Sequence, residues 1–284
     1  MTKHHWSLLG RIVALLLGAA LLFAAAALAW EHVDLAPLAD APPWIGGALG
    51  AAVAGNLLLT GALFWAITRR FDARPPVPLG KMIALICTSA MLNYLPMVRA
   101  GLVGRAAFLK VRHNLPIGQS VIILLIVLGL AGVILPAIAA VALLVDEPYR
   151  YPAMIAVITA LAVAAPSIAT RLLGRPADNA WLWVLLRSAD LLVAAARLHL
   201  AFAIVGHPIE YHQAMAAAAA SLAVKLVGLT PNGLGLSEWT VAALTPLLTP
   251  MESAVGAAAA LVDRAVDALV VLVTGLASLN FLRR

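Results

Sequence analysis

The chain has 284 residues, of which 63% are hydrophobic and 11% charged, with mean hydropathy +1.00 and formal net charge +6. A soluble domain is about half apolar and about a quarter charged, so the polar residues here are too few to coat a water-soluble globule. Soluble enzymes, disordered chains and coiled coils are excluded, and an integral membrane protein is expected. Aromatic residues make up only 6% and no segment alternates like a barrel strand, so the expected fold is all-α. In a soluble protein the basic balance would raise a nucleic-acid partner. In a membrane protein the cations bear on orientation instead, and no nucleic acid is expected. The single cysteine, Cys87, can form no intrachain disulfide.

Six apolar runs are long enough to span a bilayer as helices, near 8–30, 44–68, 117–145, 152–171, 180–205 and 253–282. The first follows a basic start (Lys3, Arg11) and contains Ala27-Leu28-Ala29, as a signal peptide would. Its 18 apolar residues from Ile12 to Ala29 nevertheless suffice to cross, so an uncleaved helix is expected. Two further runs are too short. Met82 to Leu95 is 14 residues and stops at Pro96, before the basic stretch Arg99–Arg112. Ala214 to Leu229 is 16 residues, contains Lys225, and breaks at Thr230-Pro231-Asn232-Gly233-Leu234-Gly235 before the apolar stretch Trp239–Leu248. Such Pro/Gly-interrupted lengths suit re-entrant or broken helices.

The positive-inside rule supports two re-entrant hairpins, 79–115 from the cytoplasm and 213–249 from outside. Lys3, Arg11, Arg69, Arg70, Arg74, Lys81, Lys110, Arg112, Arg171, Arg175, Arg283 and Arg284 then all face the cytoplasm, with both termini. The opposite side carries Glu31, Asp34, Asp40, Asp146, Glu147, Glu210 and Glu252, with Arg150 its only Lys or Arg. The chain then reads as one membrane domain, 1–284, built as an inverted-topology repeat of halves 1–146 and 147–284. In transporters this arrangement places a substrate site near the midplane, between the broken segments.

Charged residues inside spans point to function by default. In the first break, Pro96 frees a carbonyl, Gly101 allows the chain to turn, and Arg99 and Arg105 form a candidate clamp for a phosphate or other anion; snorkelling to headgroups is the alternative. In the second, Gly233 and Gly235 leave backbone amides open, so the turn is expected to bind an anion through its amides or a cation through its carbonyls and Glu238; structurally, Glu238 would cap the next helix or pair with Lys225 or Arg264. On the last helix Asp263 and Asp267 share a face at i, i+4, and Arg264 can reach Asp267 at i, i+3. Arg187, Asp190 and Arg197 suit an internal ion-pair ladder. The default reading of Arg187, Asp190, Asp263 and Asp267 is structural pairing, whereas Arg264 is read as functional. His199, His207 and His212 lack metal-ligand spacing and fit a solvated loop. No nucleophile–base set, P-loop or dinucleotide fingerprint appears, and neither a cofactor nor a metal is expected.

The two breaks resemble those of the lysylphosphatidylglycerol synthase transmembrane-domain family, the flippase-like membrane domains. The resemblance is carried by Pro96, Arg99, Gly101 and Arg105, by Gly228-Leu229-Thr230-Pro231-Asn232-Gly233-Leu234-Gly235-Leu236-Ser237-Glu238, and by Arg264. The sequence departs from the family pattern in three places: Leu102 replaces an acid, one extra residue separates Pro96 from Arg99, and Asn232 replaces a glycine. The resemblance implies a bacterial inner-membrane transporter that moves a phosphate-bearing lipid headgroup, anionic or aminoacylated. Arg99, Arg105 and Arg264 would hold phosphate, and the Thr230–Gly235 turn, Lys225 and Glu238 would complete the site. The family's synthases add a soluble aminoacyltransferase domain that is not seen in this sequence, so no enzyme activity is expected. The alternative is an accessory membrane subunit presenting a lipid to a separate synthase or glycosyltransferase.

Overall fold

The computed structural model describes residues 2–34, 36–71, 73–94, 100–227 and 229–283, without the side chains of residues 2–12. Among the described residues the fold is all-α. In chain order the helices are α1 (Thr2–His32), a short α2 (Ala36–Asp40), α3 (Pro43–Thr68), α4 (Leu79–Leu92), α5 (Ala100–His113), α6 (Ile117–Leu144), α7 (Arg150–Leu173), α8 (Ala180–Ile204) and α9 (Tyr211–Val227). A single 3-10 turn (Pro231–Gly233) then leads to α10 (Leu236–Leu248) and α11 (Ser253–Arg283). Proline sets several starts: Pro43 opens α3, while Pro78 and Pro116 immediately precede α4 and α6. There the fixed φ suits a helix entry and the missing N–H leaves no bond unmade. Gly174, at φ +62°, ends α7 in the left-handed region.

Five helical stretches are long and apolar enough to cross a membrane: Val13–His32, Pro43–Thr68, Ile117–Leu144, Arg150–Leu173 and Ser253–Arg283. The run near 180–205, read from sequence as a sixth span, is one continuous helix of 25 residues, and Arg187, Asp190 and Arg197 keep it out of the apolar set. The two runs judged too short form α4, of 14 residues, and α9, of 17. At 1.5 Å per residue these are roughly 21 and 25 Å long, below the roughly 30 Å of a hydrocarbon core.

Polarity is inverted relative to a soluble fold. Phe23, Val163, Leu144 and Leu172 point outward at 74–80% exposure, whereas Arg105, Arg187, Asp190, Arg197, Glu238, Asp263 and Arg264 are buried. Apolar side chains facing outward and charges facing inward suit a lipid surround. At the centre α3 packs on α8. Helix α4 lies against α3 and α11, α9 lies against α8 and α6, and α10 sits between α9 and α11. Ala214 and Ala216–Ala219 of α9, and Ala257–Ala260 of α11, are all buried. With so little side chain the backbones approach closely, which is how helices gain dispersion contact where lipid removes the hydrophobic drive.

In each short pair, hydrogen bonds tie the start of the first helix, or the loop before it, to the end of the second. Arg74 N donates to His113 O at 2.7 Å and Asn114 Nδ2 to Arg74 O at 3.0 Å, which seats the end of α5 beside the loop preceding α4. Gln213 Nε2, in the first turn of α9, donates to Leu248 O at the end of α10 at 2.8 Å. At the inner end of the first pair, Gly101 N donates to Asn93 Oδ1 at 3.1 Å. Gly101 is needed there because a Cβ would overlap the Ser89 carbonyl oxygen and Asn93 Oδ1. Gly235, at φ +76°, lies against the backbone of α1 at Gly18, and Trp239 Nε1 donates to Leu21 O at 2.8 Å.

Gly101→Ala is therefore expected to lower stability by about 1–3 kcal/mol, the usual cost of overpacking. Gly104→Ala, whose Cβ would meet only Leu92 Cδ1 at 3.7 Å, should change little. Thermal unfolding of the two variants in detergent checks the contrast.

Candidate functional site

Apart from Arg150 at the start of α7, which pairs with Glu147, the buried Arg, Asp and Glu side chains among the described residues lie on α5, α8, α10 and α11, and most are tied together. Arg197 on α8 reaches across to α11, with Nε 2.9 Å from Asp263 Oδ1, and Nη2 3.0 Å from Asp263 Oδ2 and 2.7 Å from Asp267 Oδ1. The i, i+4 spacing presents both carboxylates to one planar guanidinium, whose fixed fork of donors suits such a clamp. Arg197 Nη1 also donates to Asn56 Oδ1 on α3 at 3.3 Å, and the Tyr94 hydroxyl donates to Asp267 Oδ2. One guanidinium and its two acids thereby join α3, α8, α11 and the turn that follows α4.

A second guanidinium anchors the broken segment between α9 and α10. Arg264 Nε lies 3.1 Å from Glu238 Oε1, while Nη1 and Nη2 each donate to Asn232 O at 3.2 Å. Arg264 therefore pairs with Glu238 and not, as the i, i+3 spacing allowed, with Asp267, which the Arg197 clamp occupies. Gly233 N is bonded to Thr230 O at 3.1 Å, and Asn232, at φ +50°, turns its carbonyl toward Arg264. Of the two alternatives for this turn, the carbonyl one is seen at Asn232, whose acceptor is already used by the Arg264 cation. Pro231 opens the 3-10 turn, Thr230 is buried before it, and Gly235 passes the chain into α10. Ser237 Oγ lies 3.0 Å from both Gly233 O and Glu238 Oε2, and so braces the carboxylate.

Lys225, on the last turn of α9, packs its stem on Gly233. It lines a cleft of about 10 Å³ with Ser221, Glu238, Asp263, Arg264 and Asp267, room for roughly one water. Among the described residues it makes no hydrogen bond or ion pair.

On the other side of Asp267 lies a chamber of about 230 Å³, lined by Asn56, Thr60, Ser89, Asn93, Arg105, Arg197 and Asp267 among others. Arg105 is 8% exposed and stacks on Phe64, 3.8 Å from the ring centroid. It has no acidic partner among the described residues. Behind the chamber wall, Arg187 pairs with Asp190 at 2.5 Å, and Asp190 Oδ1 accepts from Asn56 Nδ2 at 2.9 Å and Thr60 Oγ1 at 3.3 Å.

The structure therefore brings Lys225, Asn232, Glu238, Asp263, Arg264 and Asp267 into one neighbourhood, places Arg105 across Asp267 from them, and leaves Gly101 as a packing residue. Pro96 and Arg99 lie outside the described residues. Two participants were missed in the sequence, Tyr94 and Asn56. A lone Asn inside the apolar run 44–68 was the available signal for one; nothing in the local sequence marked the other. The histidines divide: His207 is exposed, His212 faces Glu210 at 3.0 Å, and His199 sits in α8 bonded to Ile209 O at 2.8 Å. The chain matches no family model, and no curated protein or solved structure is significantly similar to it.

Removing one partner of a buried ion pair leaves an uncompensated charge and costs roughly 3–5 kcal/mol. Arg197→Met is expected to destabilise by that amount, since it strands Asp263 and Asp267 together. Adding Asp263→Asn and Asp267→Asn to it should recover much of the loss. Unfolding midpoints of the single and triple variants give the comparison.

Proposed function

We propose that this chain is a lipid flippase of the inverted-repeat transporter class, moving a phosphate-bearing lipid headgroup, anionic or aminoacylated, across a bacterial inner membrane. The observation that carries the reading is a connected network of buried charges inside a bundle whose outer face is apolar, next to a chamber of headgroup size. In this reading α8 is a sixth full span, the α4–α5 and α9–α10 pairs are re-entrant hairpins, and both termini are cytoplasmic.

Paired packing supports the duplication. Helix α4 against α11 corresponds to α9 against α6, α3 against α4 corresponds to α8 against α9, and α3 meets its own counterpart α8 at the centre. The short lengths of α4, α5 and α10 and the tied outer ends of both pairs favour re-entrance. Within the site, Arg105 and Arg264 would receive phosphate. Glu238, held by Arg264 and Ser237, would keep the broken segment in place and contact a hydroxyl of the headgroup. Lys225 would add positive charge beside it. The partner is then a membrane phospholipid, and the acyl chains would stay in the bilayer.

The test is leaflet exchange of headgroup-labelled lipid in liposomes carrying the pure protein. Arg264→Lys keeps the charge but loses the fork that joins Glu238 to Asn232. Charge-assisted hydrogen bonds are worth about 1.5–3 kcal/mol, so the exchange rate should fall about tenfold or more. Wild-type exchange in folded Arg264→Lys and Arg264→Ala would overturn the site assignment. Protein-independent exchange for every lipid tried would overturn the transport reading.

A further inference from the structure

The arrangement of partners inside the bundle points beyond a generic headgroup. Every buried carboxylate among the described residues is already held by an arginine: Asp190 by Arg187, Asp263 and Asp267 by Arg197, and Glu238 by Arg264. The cations are not matched in the same way. Around the chamber and the cleft, Arg105, Arg197, Lys225 and Arg264 face three carboxylates, Glu238, Asp263 and Asp267. The two groups left without an acid among the described residues, Arg105 and Lys225, are both positive.

The chamber has the same bias in its hydrogen-bonding groups. Asn56, Thr60, Arg197 and Asp267 are engaged with one another or with Asp190. On the facing wall, Asn93 Oδ1 is taken by Gly101 N. The Asn93 Nδ2, the Ser89 hydroxyl and the Arg105 guanidinium have no hydrogen-bond partner among the described residues; all three can donate, and only the hydroxyl can also accept. An unpaired guanidinium that is more than nine-tenths buried is costly unless an anion joins it. A chamber of about 230 Å³ is smaller than the roughly 300 Å³ at which drug-sized pockets begin. It suits a phosphodiester with a glycerol-sized head and not a sugar chain.

We infer that the Arg105 chamber binds the phosphodiester of an anionic phospholipid with a small uncharged head, and disfavours headgroups that carry an amine. The inference rests on the flippase reading for its role in transport, though the binding it describes stands apart from transport. An ammonium group entering the chamber would find no free carboxylate and would have to displace an arginine from one. A phosphate would find the unpartnered donors of Arg105, Asn93 and Ser89 in the chamber wall.

The measurement is binding to the full-length protein in neutral detergent, with phosphatidylglycerol, its lysyl ester and phosphatidylcholine compared by native mass spectrometry. Phosphatidylglycerol should bind at least tenfold more tightly than either amine-bearing lipid. The preference should collapse in Arg105→Gln and survive in part in Arg105→Lys. Equal or tighter binding of the lysyl ester or of phosphatidylcholine overturns the proposal, as does an Arg105→Gln protein that keeps the preference. Inorganic phosphate serves as a competitor: if it displaces the lipid at equal concentration, the site belongs to a soluble anion and the lipid assignment fails. Should Arg105→Gln not fold, the ranking of the three lipids on wild-type protein decides alone. Selective binding without leaflet exchange would leave this inference standing and remove the transport reading.

Discussion

The clamp of Arg197 on Asp263 and Asp267 is the interaction on which the interior depends. In a bundle whose outer face is apolar, a charge has no water to retreat to, and it must be paired, hydrogen-bonded or placed at a cavity. Arg197 meets that constraint with three short bonds to two carboxylates. Because its partners sit on α11, and because Asn56 of α3 and Tyr94 at the end of α4 complete the cluster, the same bonds fix how four segments meet. Shifting any one of them strands a charge. The ion pairs therefore set the register of helices whose alanine-rich contact faces, smooth and small, define position only weakly.

With Asp263 and Asp267 occupied by Arg197, Arg264 turns away from them toward Glu238 and the Asn232 carbonyl. This second pair lets a short helix with an irregular lead-in sit inside the bundle. The irregular segment between α9 and α10, with its single 3-10 turn, exposes backbone groups that need partners at that depth, and a guanidinium supplies several donors at once. The Asn232 backbone, left-handed at φ +50°, turns its carbonyl into the guanidinium, and Asn tolerates that region better than a branched residue. Asn232 is therefore compatible with the left-handed turn that this segment makes.

The helices were largely legible in the sequence because apolar length and Pro/Gly breaks are local signals. The runs near 44–68, 117–145, 180–205 and 253–282 end within one or two residues of α3, α6, α8 and α11. The charged residues were equally visible, since an Arg or Asp in an apolar run stands out. Their pairing was not. Helical spacing marked Arg264 and Asp267 as neighbours on one helix, but the better partner for Asp267 stands 70 residues earlier on α8, and only the packing of α8 on α11 brings it there. Tyr94 was hidden for a similar reason: a tyrosine beside a helix break has no periodic signature, and its role arises from a hydroxyl landing on a carboxylate 173 residues away. The direction of the Asn232 carbonyl likewise depends on backbone dihedrals that a Pro-Asn-Gly run permits without dictating.

Asp267 lines both the Arg105 chamber and the Lys225 cleft, so the two compartments share a wall made of the Arg197–Asp267–Tyr94 contacts. On the transport reading that wall is what a headgroup must pass. A phosphate approaching from the chamber meets Arg105 first, then Arg197, and beyond Asp267 it would meet Arg264 and Lys225, a sequence of cations with carboxylates between them. An anion can accept from a guanidinium while that guanidinium keeps part of its carboxylate contact, because five donors are available and each acid uses one or two. Passage then proceeds by exchange of partners, with no charge left bare at any stage. A cleft of about 10 Å³ beside a chamber of about 230 Å³ makes the two compartments unequal. On the transport reading, the larger compartment would receive the headgroup and the smaller would be the closed side of an alternating-access state.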